Sequence, residues 1–502
     1  MKRSKHSLSH YKLLSSDMGY LVPCMTPLEV LPGDSIQHAT SMLVRLSPLL
    51  APVMHPIRVK CHHWFVPHRL VWDNGKDDSW EAFITGGHDG LDASVFPTIT
   101  VDSSVGANGT LSGYLGNPDH GGTDFTTSAL PFRGYALIFN EWYRDQDLVS
   151  ELTVDLTGGA DTTTNTALQR AAWEKDFLTA ARPWTQKGTE VTIPLAGEVP
   201  LEGLAITTPI SYTNAATGHK DSAGASPPSG SDWSGASPGF IVQGDDSTDV
   251  PNMRVDLAGS TGASIIDVRL SYALQRYKEA RARYGSRYSE YLRYLGVRSS
   301  DARLQRPEYL GGGRQTISVS EVLATAETGT SVDVGDIKGH GIGAMRTNRY
   351  RRYFEEHGYV FTLMHVQPKT MYYQGIPKSF IKTTKEDFWQ QELEFIGQQE
   401  ILNREVYQEH TTPAGTFGYQ DRYDEYRRCL SSVAGEFRTS ALNFWHMARD
   451  FSSDPALNAS FVESVPTQRV HAVTTNDVLW IMASHSIQAR RLVSKVARNR
   501  VF

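Results

Sequence analysis

Apolar and polar residues alternate most clearly where Ile57, Val59, Cys61, His63 and Phe65 interleave with Arg58, Lys60, His62, Trp64 and Val66. A period of two places the two sets on opposite faces of an extended strand. Extended character begins at Leu28, and prolines at 48, 52, 56 and 67 divide the region into short strands and turns. Gly358–Pro368 (GYVFTLMHVQP) predicts another strand. Phe461–Ser484 predicts two more, and strand-like runs resume after Gly311-Gly312-Gly313. Helical spacing is rarer. Val268, Tyr272, Leu274 and Tyr277 predict a helix over Asp267–Leu295, interrupted at Gly285-Ser286. Phe132–Leu148 and Ala167–Ala181 read as short helices, the second closed by Arg182-Pro183 because proline disfavours helix just before itself. Residues 84–130, rich in Gly, Asp, Ser and Thr, read as long surface loops, and residues 1–27 as a basic, irregular arm. Strands separated by long loops, without strict strand–helix alternation, point to a sandwich or barrel.

The 502 residues exceed one ordinary domain, and the 42 glycines and 24 prolines suit a loop-rich β protein. No apolar run approaches the roughly 20 residues of a membrane helix, so no membrane insertion is expected. The basic start MKRSKHSLSHYK lacks the apolar core of a secretory signal, and cytosolic synthesis is the expectation. Cys24, Cys61 and Cys429 are scattered and odd in number, which suits reduced thiols rather than a disulfide framework or a zinc knuckle.

Charge divides the chain. Residues 188–264 hold nine acids and two bases, a net of −7, so the remainder of the −6 chain carries +1. Within that segment, Gly218–Gly239 is too polar and glycine-rich to build a core and reads as the tip of an inserted surface module, with short strands at Val191–Leu195 and Gly239–Gln243. Both ends are basic. Lys2, Arg3 and Lys5 precede the first acid, Asp17, while Arg490, Arg491, Lys495, Arg498 and Arg500 follow the last, Asp477. Arg490, Arg491, Lys495 and Arg498 share one face if that tail is helical. Such ends bind phosphates through counterion release, or serve only as solubilising termini. The organisation expected is an arm at 1–27, a main domain begun at 28–187 and completed at 265–502 with a basic tail, and an acidic insertion at 188–264.

Catalytic chemistry is poorly supported. His55, His62, His63 and His68 form the most tempting metal cluster, but adjacent strand positions face opposite sides and cannot share an ion, so structural roles are favoured. Glu386, Asp387, Glu392 and Glu394 offer paired carboxylates for a glycosidase-like site, yet read better as a solvated face. Nucleophile elbow, phosphate loop, dinucleotide fingerprint and zincin motif are all missing, and neither metal nor cofactor is expected.

What the chain does concentrate is aromatic residues beside charges. FRGYALIFNEWYRDQDL (Phe132–Leu148) and WEKDFLTAARPWTQKG (Trp173–Gly188) are dense in both, as contact surfaces are, although tryptophans of this kind also build cores. Taken with LEVLPGDS (Leu28–Ser35), LVRLSPLLAPVMHPIRVKCHHWFVPHRLVW (Leu43–Trp72), RLQRPEYLGG (Arg303–Gly312), FGYQDRYDEYR (Phe417–Arg427) and GEFRTSALNFWHMARDF (Gly435–Phe451), the chain resembles the major capsid proteins of the microviruses, in their gokushovirus-like branch.

The resemblance implies a mainly β fold, an eight-stranded antiparallel viral jelly roll with long loop insertions and a few short helices. It also implies a structural role in a virion. About sixty copies would close a T=1 icosahedral shell around circular single-stranded DNA, assembled in the bacterial cytoplasm with internal scaffolding and pilot proteins. Lys2, Arg3, Lys5, Arg490, Arg491, Lys495, Arg498 and Arg500 would face DNA inside. Trp142, Tyr143, Arg144, Asp145, Arg182, Arg306, Tyr309, Tyr419, Arg422 and Tyr423 would serve subunit interfaces. Ser226, Ser231, Asp232 and Trp233, in the insertion that forms three-fold protrusions in that branch, would face a host cell-surface receptor. The alternatives are a carbohydrate-binding or glycan-degrading jelly roll and a receptor-binding spike, neither of which builds a closed shell.

Overall fold

The computed structural model describes residues 3–86, 94–102, 109–118, 123–192, 265–284, 287–325 and 334–495, with short strands at 201–202, 211–214, 219–222 and 254–255. The chain divides into two units, Met1–Thr185 with Arg281–Phe502, and Gln186–Ala280. In the second, Leu201–Glu202 pairs with Arg254–Val255 and Ser211–Asn214 with His219–Ser222. The expected strand at 239–243 and the tip residues Ser226, Ser231, Asp232 and Trp233 lie outside the described residues.

Two antiparallel sheets organise the first unit, built from β1 (Ser4–Ser7), β2 (His10–Ser16), β3 (Val22–Pro23), β4 (Leu28–Val30), β5 (Ser35–Leu46), β6 (Ile57–Pro67), β7 (Glu308–Thr316), β8 (Ser318–Leu323), β9 (Ile337–Arg346), β10 (Tyr350–Tyr353), β11 (Gly358–Pro368) and β12 (Leu479–Arg491). The seven-stranded sheet runs β1-β12-β5-β9-β8, with β2 also on β12 and β10 also on β5. The five-stranded sheet runs β7-β6-β11-β3, with β4 also on β11. Val44, Leu46, Ile481 and Ala483 from the first sheet meet Val59, Cys61, Met364 and Val366 from the second in one buried cluster.

The sheets differ in how they are covered. Along β12, Leu479, Ile481, Ala483, His485, Ile487 and Ala489 are buried and the residues between them largely exposed. This is the alternation of a sheet packed on one side only. β11 is buried almost throughout, because a second cluster lies against its other face. There α3 (Leu130–Ile138), preceded in the chain by α1 (Trp80–Thr85) and α2 (Leu111–Leu115), brings Phe132, Tyr135 and Ile138 onto Trp64, Val66 and Phe361. Gly134 lets the helix approach, since a Cβ there would stand 2.8 Å from the Phe361 ring. The helix runs on as a wide turn over Phe139–Tyr143.

The strands over 57–66 and 358–368 form as expected, and the helix over 267–295 forms as α4 (Ile265–Tyr284) and α5 (Tyr288–Tyr294). Six local expectations need correction. The arm at 1–27 is not irregular: β1 and β2 pair along β12, with Lys12 and Leu14 turned inward between exposed Tyr11, Leu13 and Ser15. Residues 84–130 are not all surface loop, because α2 buries Leu111, Tyr114 and Leu115 once Thr110 caps its first turn. Ala167–Ala181 is not a helix. The Asp176 carboxylate takes the backbone N–H groups of Leu178 and Thr179, a local bond that competes with helix formation. Gly311–Gly313 does not precede a strand but lies inside β7, where a bulge at Gly311 and the Cys61 carbonyl, 2.5 Å from any Cβ on Gly312, call for glycine. Phe461–Ser484 supplies one strand rather than two. β12 then continues to Arg491, so Arg490 and Arg491 sit on opposite faces of a strand rather than on one helical face.

Candidate nucleic-acid interface

The uncovered face of the seven-stranded sheet can be read row by row from its register. Lys5 lies opposite Arg490, Arg490 opposite Ser35, and Ser35 opposite Tyr353. The next row is Ser7, Gln488, Gln37 and Arg351. Further along come Tyr11, Ser484, Ser41 and Arg346, then Leu13, Met482, Leu43 and Ala344, then Ser15, Trp480, Arg45 and Ile342. Lys338 is exposed at the far end of β9. Six cations stand on this face, Lys5, Arg45, Lys338, Arg346, Arg351 and Arg490, and these rows contain no carboxylate. None of the six forms an ion pair among the described residues, whereas the buried Arg133 and Arg306 both do.

Aromatic and apolar side chains fill the gaps. Tyr11 is 70% exposed, Leu13 69%, and Trp480 and Tyr353 each 47%. A groove lined by Leu13, Arg45, Tyr114, Trp480 and Met482 opens beside them, with Asp477 at its end accepting from the Ser15 hydroxyl. Cations spaced across a sheet face with exposed rings between them are the chemistry of a single-strand platform. The charges follow phosphates and the rings stack on bases.

The structure thus brings together three of the expected DNA-facing residues from opposite ends of the chain. Lys5 and Arg490 are cross-strand neighbours, and Arg3 lies over Tyr353, its guanidinium 5.0 Å from the ring. Arg491 points the other way. It pairs with fully buried Asp34 at 2.9 Å, so it is a structural residue. Lys495 is exposed, while Lys2, Arg498 and Arg500 lie outside the described residues. Sequence reasoning missed Arg45, Lys338, Arg346, Arg351 and Trp480. Their signal was an outward position on alternating strands together with the absence of any acid among them, visible only once the register is known.

The expected interface residues fall into two groups. Tyr143 is buried, its hydroxyl bonded to His62 Nδ1 at 2.8 Å and accepting from Trp64 Nε1 at 3.1 Å. Asp145 is buried against Lys175 and Arg182, and Arg182 also reaches Asp147. Burial alone would raise the Asp145 carboxyl, but these cations and the Asp147 N–H hold it below the usual range. Arg306 is buried over the Trp142 ring, with Asp301 at 2.7 Å. Buried Tyr423 donates to the carbonyls of Glu386 and Phe388, and Arg422 to that of Glu386. Arg144 bonds the Val149 carbonyl, and Tyr419 pairs with Arg182 through the backbone. Of the set, Tyr309 is exposed, at 45%.

The histidines are core residues. His62 and His63 lie on opposite faces of β6, and among the described residues no histidine, cysteine and carboxylate group has metal-binding geometry. His63 sits between the sheets, bonded to Thr362 and Thr347 and 4.5 Å from His38, ring to ring. His38, Thr40 and His485 form a directed chain. His485 Nε2 must donate to the Cys24 carbonyl at 3.0 Å, so its Nδ1 accepts from the Thr40 hydroxyl. Thr40 then accepts from His38 Nε2, and His38 Nδ1 accepts from the Tyr350 hydroxyl. Burial first, then mutual repulsion, lowers His38 to about 2 and His63 to about 3, and burial lowers His485 to about 4.

Comparison with known proteins agrees with the motifs. The family model described as capsid protein (F protein) matches residues 1–496. The capsid protein VP1 of Bdellovibrio phage phiMH2K is 34% identical over 90% of this chain and 87% of its own length. Those of Chlamydia phage 1 and Spiroplasma virus 4 are 32% and 31% identical, covering 94% and 92% of this chain and 91% and 87% of the relatives. The chain is a structural, non-enzymatic protein of the virion that assembles with copies of itself into a capsid shell, and it belongs to the phage capsid (F protein) family.

Proposed function

We propose that the chain is the major subunit of a small T=1 shell of about sixty copies, and that the uncovered face of its seven-stranded sheet lines the interior against circular single-stranded DNA. One observation carries this reading: six cations with no ion pair among the described residues and three exposed aromatic rings share a sheet face whose rows hold no acid. On the outside of a particle such a face would meet no polyanion of the virion. On the inside it meets one continuously. Base stacking and phosphate attraction without base-edge contacts suit a shell that packs any genome sequence. The two opposed sheets and the antiparallel pairing support a jelly-roll assignment. The basic tail adds Lys495, Arg498 and Arg500 to the same interior role.

In this reading the acidic insertion at 188–264 projects outward as a three-fold protrusion, with Ser226, Ser231, Asp232 and Trp233 toward a host receptor. Assembly takes place in the bacterial cytoplasm with internal scaffolding and pilot proteins. Tyr309, exposed on β7, is the strongest of the expected interface residues.

The test replaces Arg45, Lys338, Arg346 and Arg351 with Gln in the full chain, produced with its phage partners. Shells should form but hold less than a tenth of the parental DNA at moderate salt. Full shells from this variant would refute the interior placement of the sheet. Deleting 218–239 should leave particles intact and impair adsorption.

A further inference from the structure

Two further exposed apolar surfaces carry opposite charge. On α4, Ile266, Leu270, Ala273, Leu274 and Tyr277 follow the spacing of one helical stripe. Such a stripe ordinarily faces a core, yet Ile266 is 74% exposed and Leu270 56%. Arg269 and Arg276 are exposed along its flank and pair with no acid among the described residues. The second surface is the segment 386–396. Phe395 is 85% exposed, Ile396 58%, and Phe388 and Trp389 each 51%. Its acids are Glu386, Asp387, Glu392 and Glu394; Glu392 is exposed and forms no ion pair among the described residues, and Glu394 reaches Arg427 only at 3.7 Å.

The segment is also held in shape. Tyr423 bonds the Glu386 and Phe388 carbonyls from beneath, and the Asp387 carboxylate takes the N–H groups of Thr383 and Thr384. Its rings therefore stand out from an ordered backbone, and little ordering entropy opposes a contact.

We propose that segment 386–396 of one copy packs on the α4 stripe of a second copy, its acids beside Arg269 and Arg276. The inference rests on the capsid reading and names one contact within the shell. Made head-to-tail, the contact repeats into a ring around a symmetry axis, whereas a reciprocal pairing of the same two surfaces would stop at a dimer. An apolar centre with a charged rim is the anatomy of a specific interface, and the charges set its register.

Cross-linking within assembled particles tests this. In a Cys429→Ser background, which removes the exposed native thiol, Leu270→Cys and Phe395→Cys are placed in one chain and mild oxidant is applied. A ladder of covalent multimers is expected, absent when either cysteine is present alone. Shells that give no ladder, or dimers from Leu270→Cys alone, overturn the contact. If the parental chain itself forms no shells, the capsid reading fails instead. Should the cysteine variants not assemble, charge reversal decides. Glu392→Arg should cut shell yield at least tenfold, and adding Arg269→Glu and Arg276→Glu should restore it. A Glu392→Arg chain that assembles like the parent, or a combination that does not recover, overturns the proposal.

Discussion

Arg133 and Asp161 meet at 2.7 Å with neither side chain exposed. Arg133 also donates to the carbonyls of Val71 and Thr157, and Asp161 accepts from Thr163 and Thr164. Burial alone would raise the Asp161 carboxyl, but its hydrogen bonds from Thr164 and the Arg133 guanidinium hold it below the usual range. The pair ties α3 to the segment that closes beside it.

Removing one partner leaves the other charge buried and uncompensated. Asp161→Ala should therefore cost about 3–5 kcal/mol. Arg133→Met, which leaves a carboxylate able to take up a proton, should cost less. Urea unfolding of the unassembled subunit checks the order. Equal losses would mean that the guanidinium is not stranded by Asp161→Ala.

The buried histidine chain makes stability depend on pH. The folded pKa values of His38, His63 and His485 lie below the ordinary 6.5. The unfolded chain therefore binds more protons in mild acid. Stability from these groups is complete above about 6.5 and is lost as pH falls toward the folded values, by up to about 1.4 kcal/mol per unit per histidine. The rings face His10, Tyr350 and one another, with no carboxylate among these contacts to offset a proton. Denaturant titrations at pH 7.5 and 5 should differ strongly, and His38→Gln should flatten the dependence.

Gly134 gives a test of sign. Glycine to alanine inside a helix ordinarily stabilises by about 0.5–1 kcal/mol. Here the added methyl would overlap the fully buried Phe361 ring, so Gly134→Ala should instead destabilise by about 1–3 kcal/mol, as overpacking does. Combining it with Phe361→Leu should recover part of the loss in a thermal melt.

Binding of single-stranded oligonucleotide by the isolated subunit should weaken steeply with salt. Each of Arg45, Arg346 and Arg351 changed to Gln should lower the logarithmic salt slope by about 0.7. Trp480→Ala should instead cost about 1–3 kcal/mol with the slope unchanged. A Trp480→Ala variant that binds like the parent would remove stacking from the account.

Much of this was legible in the chain. The alternation of Ile57–Val66 announced β6, and the run Gly358–Pro368 announced a strand, though its burial on both faces became visible only with the helix packed against it. Glycines at 311–313 misled, because what they provide is closeness to the Cys61 carbonyl rather than a break. Asp176 misled likewise, since its carboxylate captures backbone groups that a helix would need. The sheet face was hidden for a different reason. Lys5 and Arg490 come from opposite ends of the sequence, and Arg45 and Arg346 from two widely separated strands, so no window of sequence contains the pattern that their register creates.

The position of β12 has a consequence for synthesis. It is the bridge between β5 and the strands β1 and β2, yet it is made after all of them. Until residues 479–491 leave the ribosome, β1 and β2 have no partner and β5 lacks a neighbour along its full length. A chain stalled or cut before that point cannot complete the sheet, and so cannot offer a growing shell a surface that fits. A subunit ending before residue 479 should therefore be left out of particles formed beside the full-length chain.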